Sequence, residues 1–97
     1  MSLTGKQRRH LRSLGHHLDP VVIVGDAGPS PGVVAQVDVQ LTAHELIKVK
    51  AHEGSREEMQ EIAATLAKGS KSEVAQVMGH TILLYRPHPK TPRISLP

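Results

Sequence analysis

The chain is predicted to fold as a single compact α/β domain in the order α-β-α-β-α-β-β, with three helices and a four-stranded mixed sheet. Three observations predict it: two capping boxes that start helices, a period-two alternation after the second helix, and a Gly-X pair between two apolar runs near the C-terminus. Ninety-seven residues suit one domain, 1–97, which buries roughly 65% of the surface its unfolded chain exposes.

Thr4-Gly5-Lys6-Gln7 has the capping-box form, so a helix should run from about Gly5 to His17. At ~100° per residue Leu11, Leu14 and Leu18 share one stripe, while Lys6, Arg8, Arg9 and Arg12 sweep the opposite half. One face packs and the other is cationic. Asp19-Pro20 ends this helix, because the residue before a proline is pushed out of the α region. The β-branched run Val21-Val22-Ile23-Val24 then suits a strand covered on both faces. Gly25-Asp26-Ala27-Gly28 breaks the strand, and Ser30 as N-cap with Pro31 at N1 starts a helix carrying Val33, Val34, Val37 and Leu41, ending near Ala43. From Glu45 the period becomes two, with Ile47, Val49 and Ala51 alternating with Lys48 and Lys50 until Gly54 closes the strand. Ser55-Arg56-Glu57-Glu58 is the second capping box, Met59, Ile62 and Leu66 form its helical stripe, and Gly69 supplies a C′ stop. Val74 to Met78 and Thr81 to Arg86 flank Gly79-His80, a link that suits a type II′ hairpin. Each β-α-β step favours a right-handed crossover and parallel neighbours, and the hairpin adds an antiparallel pair. Pro87 to Pro97 is a proline-punctuated tail, basic over 88–97.

Composition narrows the function. Hydrophobic residues make up 38% of the chain, yet there is no Phe, no Trp and a single Tyr, Tyr85, so aromatic platforms are scarce. The absence of cysteine excludes disulfides, thiolate metal sites and cysteine nucleophiles, and a reducing, cytoplasmic setting is expected. Neither a membrane span nor a secretory leader is expected, since no long apolar run is present and none follows the basic N-terminus. Charge is segregated: residues 1–18 hold four bases and no acid, residues 86–97 hold Arg86, Lys90 and Arg93 and no acid, and the interval between has five bases against nine acids. If the fold brings the ends together, they offer a polyanion a cationic face; otherwise they are a solvated basic surface.

The Gly25-Asp26-Ala27-Gly28 turn joins a strand to a helix. It is either a tight β-α turn or a loop whose bare backbone lets a sugar-phosphate chain approach. It lacks the Gly-Lys-Ser/Thr ending of a nucleotide triphosphate loop and is not a dinucleotide fingerprint. Asp26 repels phosphate, and Pro29 and Pro31 remove two donors, so attraction must come from neighbours such as the first helix. Lys48 and Lys50 share a strand face, as edge protection or as part of a basic track. The seven histidines are scattered without metal-ligand spacing, and no nucleophile-base-orienter set is present, so no metal, no cofactor and no catalysis are expected.

Five blocks, taken in order, resemble the CRM domain family in its bacterial stand-alone YhbY type: Lys6-Gln7-Arg8-Arg9-His10-Leu11, Pro20-Val21-Val22 leading to the glycine turn, His44-Glu45-Leu46-Ile47-Lys48-Val49-Lys50, Gly79-His80-Thr81-Ile82-Leu83-Leu84-Tyr85-Arg86-Pro87, and Ile94-Ser95-Leu96-Pro97. The resemblance implies a fold similar to the C-terminal domain of translation initiation factor three. It also implies association with precursors of the large ribosomal subunit. It places the RNA contact on Gly25 and Gly28 with Lys6, Arg9 and Arg12; Arg8, Asp26, Ala27, Lys48, Lys50 and Arg86 are added to that surface as candidates. The expected protein is a non-catalytic RNA binder in ribosome biogenesis, its oligomeric state left open with a monomer favoured, with low sequence specificity and phosphate contacts dominant. The rival reading is a protein-interaction module that docks a ribosomal or assembly protein without touching RNA.

Overall fold

The computed structural model describes residues 2–97. Each helix starts where a side chain can satisfy its free amides. Thr4 Oγ1 accepts from the Gln7 amide at 3.1 Å and Gln7 Oε1 accepts from the Thr4 amide at 3.0 Å, which opens α1 (Gly5–Gly15). Ser30 accepts from Val33 at the head of α2 (Pro31–His44), and Ser55 and Glu58 form the second reciprocal pair at α3 (Arg56–Ser70). The strands are β1 (Pro20–Val24), β2 (Leu46–Ala51), β3 (Glu73–Met78) and β4 (Thr81–Tyr85), in the predicted chain order.

The sheet runs β1-β2-β4-β3, with β1 parallel to β2 and β4 antiparallel to both its neighbours. β2 and β3 therefore point the same way without touching, contrary to the expectation that each β-α-β step joins adjacent strands. The reason lies in β4: Ile82, Leu83, Leu84 and Tyr85 are apolar toward both faces and all are buried, so β4 takes a central slot, whereas β3 with Gln76 and Met78 suits an edge. In the hairpin Gly79 alone has positive φ, +57°, the type II′ pattern. α2 and α3 cover one face over Val22, Val24, Ile47, Val49, Ile82 and Leu84. α1 and the tail cover part of the other, over Leu46, Leu83 and Tyr85.

Three local expectations are corrected. β1 is covered on one face only: Val22 and Val24 are buried, but Val21 and Ile23 are 44% and 53% exposed, because β1 is an edge strand and α1 packs on β2, β4 and β3 instead. α1 ends at Gly15, and its seam is Leu11 and Gly15; Leu14 and Leu18 remain partly exposed. A Cβ on Gly15 would sit 2.6 Å from Leu83 Cδ1, so the helix settles on β4 through its glycine, and Leu14 and Leu18 swing to a flank facing Val21. Gly69 does not end α3. The helix continues to Ser70, Lys71 takes the left-handed cap at φ 56°, and the bare Gly69 instead admits Val34, whose Cγ1 would lie 2.8 Å from an added Cβ.

The tail is held by a buried carboxylate. Glu45, itself at φ 61° just past α2, accepts from the amides of His88 at 2.8 Å, Arg93 at 2.7 Å and Ile94 at 3.1 Å. Burial works to raise its pKa, but these three amides and the Arg93 charge outweigh it and hold the carboxyl below its ordinary value of 4.5. His88 Nδ1 then accepts from the Lys90 and Thr91 amides, and Ile94 and Leu96 pack beside Leu46 and Tyr85.

Candidate nucleic-acid interface

Seating α1 on Leu83 divides the sheet face it shares. Leu83 is the register partner of Lys48, and beyond that level, toward the Gly25 and Gly79 ends of the strands, the face is open. Across the open part run Ile23, Lys50, Thr81 and Met78, paired in register over all four strands. Lys48 is half-buried and Lys50 exposed, both on this face, and Arg12 reaches in from α1 to line with Lys48 one concavity of about 440 Å³. Arg12 and Lys48 thus share one concavity, and Lys50, two residues on, extends the cationic track along the same strand face.

The track leads to the glycine turn. Gly25 follows Ile23 by two residues, just past the end of β1; at ~3.3 Å per residue it lies roughly 13 Å along the strands from the level of Lys48. The Gly28 amide donates to the Gly25 carbonyl at 3.0 Å, closing the turn over Asp26 and Ala27. Gly28 has φ +72° and needs to be glycine for that reason. Gly25 does not have positive φ, and nothing lies within 4 Å of a Cβ placed on it. Neither conformation nor internal packing requires glycine there, so the bare backbone leaves room for something outside the chain.

The other side of the turn is acidic. Gly25, Asp26 and Gly28 share a second concavity, about 490 Å³, with Glu53, Ser55 and Glu58 at the start of α3. The Ser55 amide and hydroxyl lower the Glu58 pKa, so this wall stays negative. A polyanion is repelled here and attracted on the α1 side.

The remaining candidates do not converge on the track. Lys6 and Arg9 are exposed and, at ~100° per residue, project from the half of α1 turned away from the Leu11–Gly15 seam. Arg8 Nε donates to the Val74 carbonyl at 3.4 Å. Arg86 lies in the opposite layer: its guanidinium donates to Asp38 Oδ1 at 2.6 Å, the Ser70 carbonyl at 2.7 Å, the Asp38 carbonyl at 3.1 Å and Thr42 Oγ1 at 2.9 Å, pinning the ends of α2 and α3 to β4. Arg86→Met is expected to cost about 2–3 kcal/mol, because the Ser70 carbonyl and the Asp38 carboxylate lose a charged donor, while RNA affinity stays within twofold of wild type. Thermal melts and RNA titration of the variant check this. Tyr85, the one aromatic platform in the sequence, is 2% exposed in the α1-side core and offers no stacking surface. Burial, with the Glu45 charge beside it, raises its phenol pKa.

Sequence reasoning missed Gln76. Plain alternation puts it with Val74 on the α3 side, but β3 shifts register between Val74 and Gln76, so both Ala75 and Gln76 face α1. No turn or glycine in the sequence marks that bulge.

Comparison with known proteins places this geometry in a family context. The CRS1/YhbY (CRM) domain model matches residues 3–86. A Bacillus subtilis protein named Probable RNA-binding protein YqeI is 42% identical over 95 residues, covering 98% of this chain and 99% of the relative. A Haemophilus influenzae protein named RNA-binding protein is 41% identical over 96 residues, covering 99% and 96%. The solution structure of a hypothetical Staphylococcus aureus protein has a TM-score of 0.88 and 40% identity, covering 99% of this chain and 100% of that one.

Proposed function

The chain belongs to the CRS1/YhbY (CRM) domain family, and on that premise we propose that it is a non-catalytic RNA-binding protein of the cytoplasm, acting on ribosomal RNA in precursors of the large ribosomal subunit. The observation that carries this reading is the run of Arg12, Lys48 and Lys50 on the α1 side of the sheet toward the unobstructed Gly25 backbone, with Glu53 and Glu58 on the other side of the turn. The mechanism is electrostatic capture by the track, then close docking of a sugar-phosphate chain on the turn. Helix and turn need not touch, because the lysines of β2 span the gap between them.

Gly25→Val tests the docking step. A Cβ there meets nothing within 4 Å and φ is not positive, so the melting temperature should stay within a few degrees, and affinity for structured RNA should fall about tenfold because the strand is held off the backbone. Wild-type affinity in a folded Gly25→Val protein overturns the role of the turn. Co-sedimentation of the protein with ribosomal particles, before and after nuclease digestion, tests the ligand. The exposed Val21 and Leu14 beside the unpaired edge of β1 favour a protein partner as the second reading, and association that survives complete digestion selects it.

A further inference from the structure

The open sheet face carries more than charge. The row Ile23, Lys50, Thr81 and Met78 is ~14 Å wide at ~4.8 Å per strand. Its ends, Ile23 and Met78, are 53% and 65% exposed. Inside this row, between α1 and the sheet, Leu83 and Met78 line the concavity whose other wall is Arg12, and the β3 bulge turns Gln76 into it. The Gln76 amide donates one N–H to Met78 Sδ, at 3.8 Å, and its second N–H and its carbonyl oxygen have no protein partner among the described residues, so one donor and one acceptor are available to a ligand.

Phosphates make use of cations and N–H donors; they gain nothing from a thioether or a sec-butyl group. An unstacked base has an apolar face for Ile23 and Met78 and a polar edge for Gln76. A regular RNA duplex offers neither, since its base faces are stacked inside and its deep major groove is closed to side chains. Apolar ends, amide and cations therefore match a strand whose bases are splayed, and match a duplex poorly.

We infer that this face takes an unpaired stretch of RNA. Its bases lie on Ile23 and Met78 and in the trough where Gln76 meets a base edge, and its phosphates lie along Arg12, Lys48 and Lys50. The inference rests on the RNA-binding reading and adds strandedness and a degree of base preference to it, where composition alone implied neither.

The test uses the full chain, a random-sequence single-stranded RNA of about 16 nucleotides, and a blunt RNA duplex of about the same length. Wild type should bind the single strand about tenfold more tightly. The doubly substituted Ile23→Ser, Met78→Ser protein alters two exposed positions and should melt normally; it should lose that preference while keeping the wild-type salt slope, because no phosphate contact has changed. Equal binding of the two RNAs by wild type, or an unaltered preference in the folded double variant, overturns the inference and leaves RNA binding standing. Failure of wild type to bind either RNA overturns both.

Discussion

Glu45→Gln is expected to lower the melting temperature by about 15 °C, on about 3 kcal/mol lost and about 4–8 °C per kcal/mol for a chain of this size. Glutamine keeps one carbonyl oxygen, so it can accept from Arg93 and Ile94, but it sets an NH₂ group against the His88 amide and removes the charge that strengthens all three bonds. The tail then loosens, and Ile94 and Leu96 leave Leu46 and Tyr85 less well covered. The pH dependence has a definite sign. The Glu45 pKa is lowered in the folded chain, so its contribution is complete above the ordinary value of 4.5 and is lost as pH falls through the depressed folded value. Wild type should therefore show an acid limb below about pH 4.5 that is shallower in the variant; Glu58, also lowered, leaves a smaller limb in both. Melts of the two proteins from neutral pH downward measure this. Equal melting temperatures at neutral pH, or parallel acid limbs, would show that the carboxylate does not hold the tail.

Glu45 also illustrates what a sequence conceals. Its neighbours were legible: the helix before it, the alternation after it and the family block around it. An acid at the negative end of a helix is an unfavourable placement that asks for a partner. The partners, however, are backbone amides more than forty positions away, and amides leave no trace in residue identity. The same holds for the site. Capping boxes at Thr4 and Ser55 and the period of β2 depend on neighbouring residues alone, and the fold follows them. Whether a β-branched run lies at an edge depends on where distant strands pair, so the run alone suggests a cover that Val21 and Ile23 lack. Arg86 looks like a surface cation in the sequence because its partners Asp38 and Ser70 come from α2 and α3, far away in the chain. Gly15 and Gly69 are helix glycines whose reason, close approach to Leu83 and Val34, exists only in three dimensions.

Replacing Arg12, Lys48 and Lys50 together by glutamine is expected to weaken binding of structured RNA about a hundredfold near 0.1 M salt and to flatten the plot of log affinity against log salt by about two units, three phosphate contacts at about 0.7 each on a single strand. Glutamine retains length and hydrogen-bonding ability, so the change isolates charge. All three side chains lie at least partly in solvent outside the apolar core, and the melting temperature should hold. The informative control is a second triple variant, Lys6, Arg8 and Arg9 to glutamine, which removes the same net charge from α1 alone. Long-range attraction alone predicts equal losses in the two proteins, because a field summed over tens of ångströms scarcely distinguishes one side of a helix from another. Contact along the sheet face predicts a loss several times larger for the first set, since only Arg12, Lys48 and Lys50 share the face that ends at Gly25. Equal losses would mean that the protein attracts RNA without seating it on the sheet, and the glycine turn would then have no strand to receive.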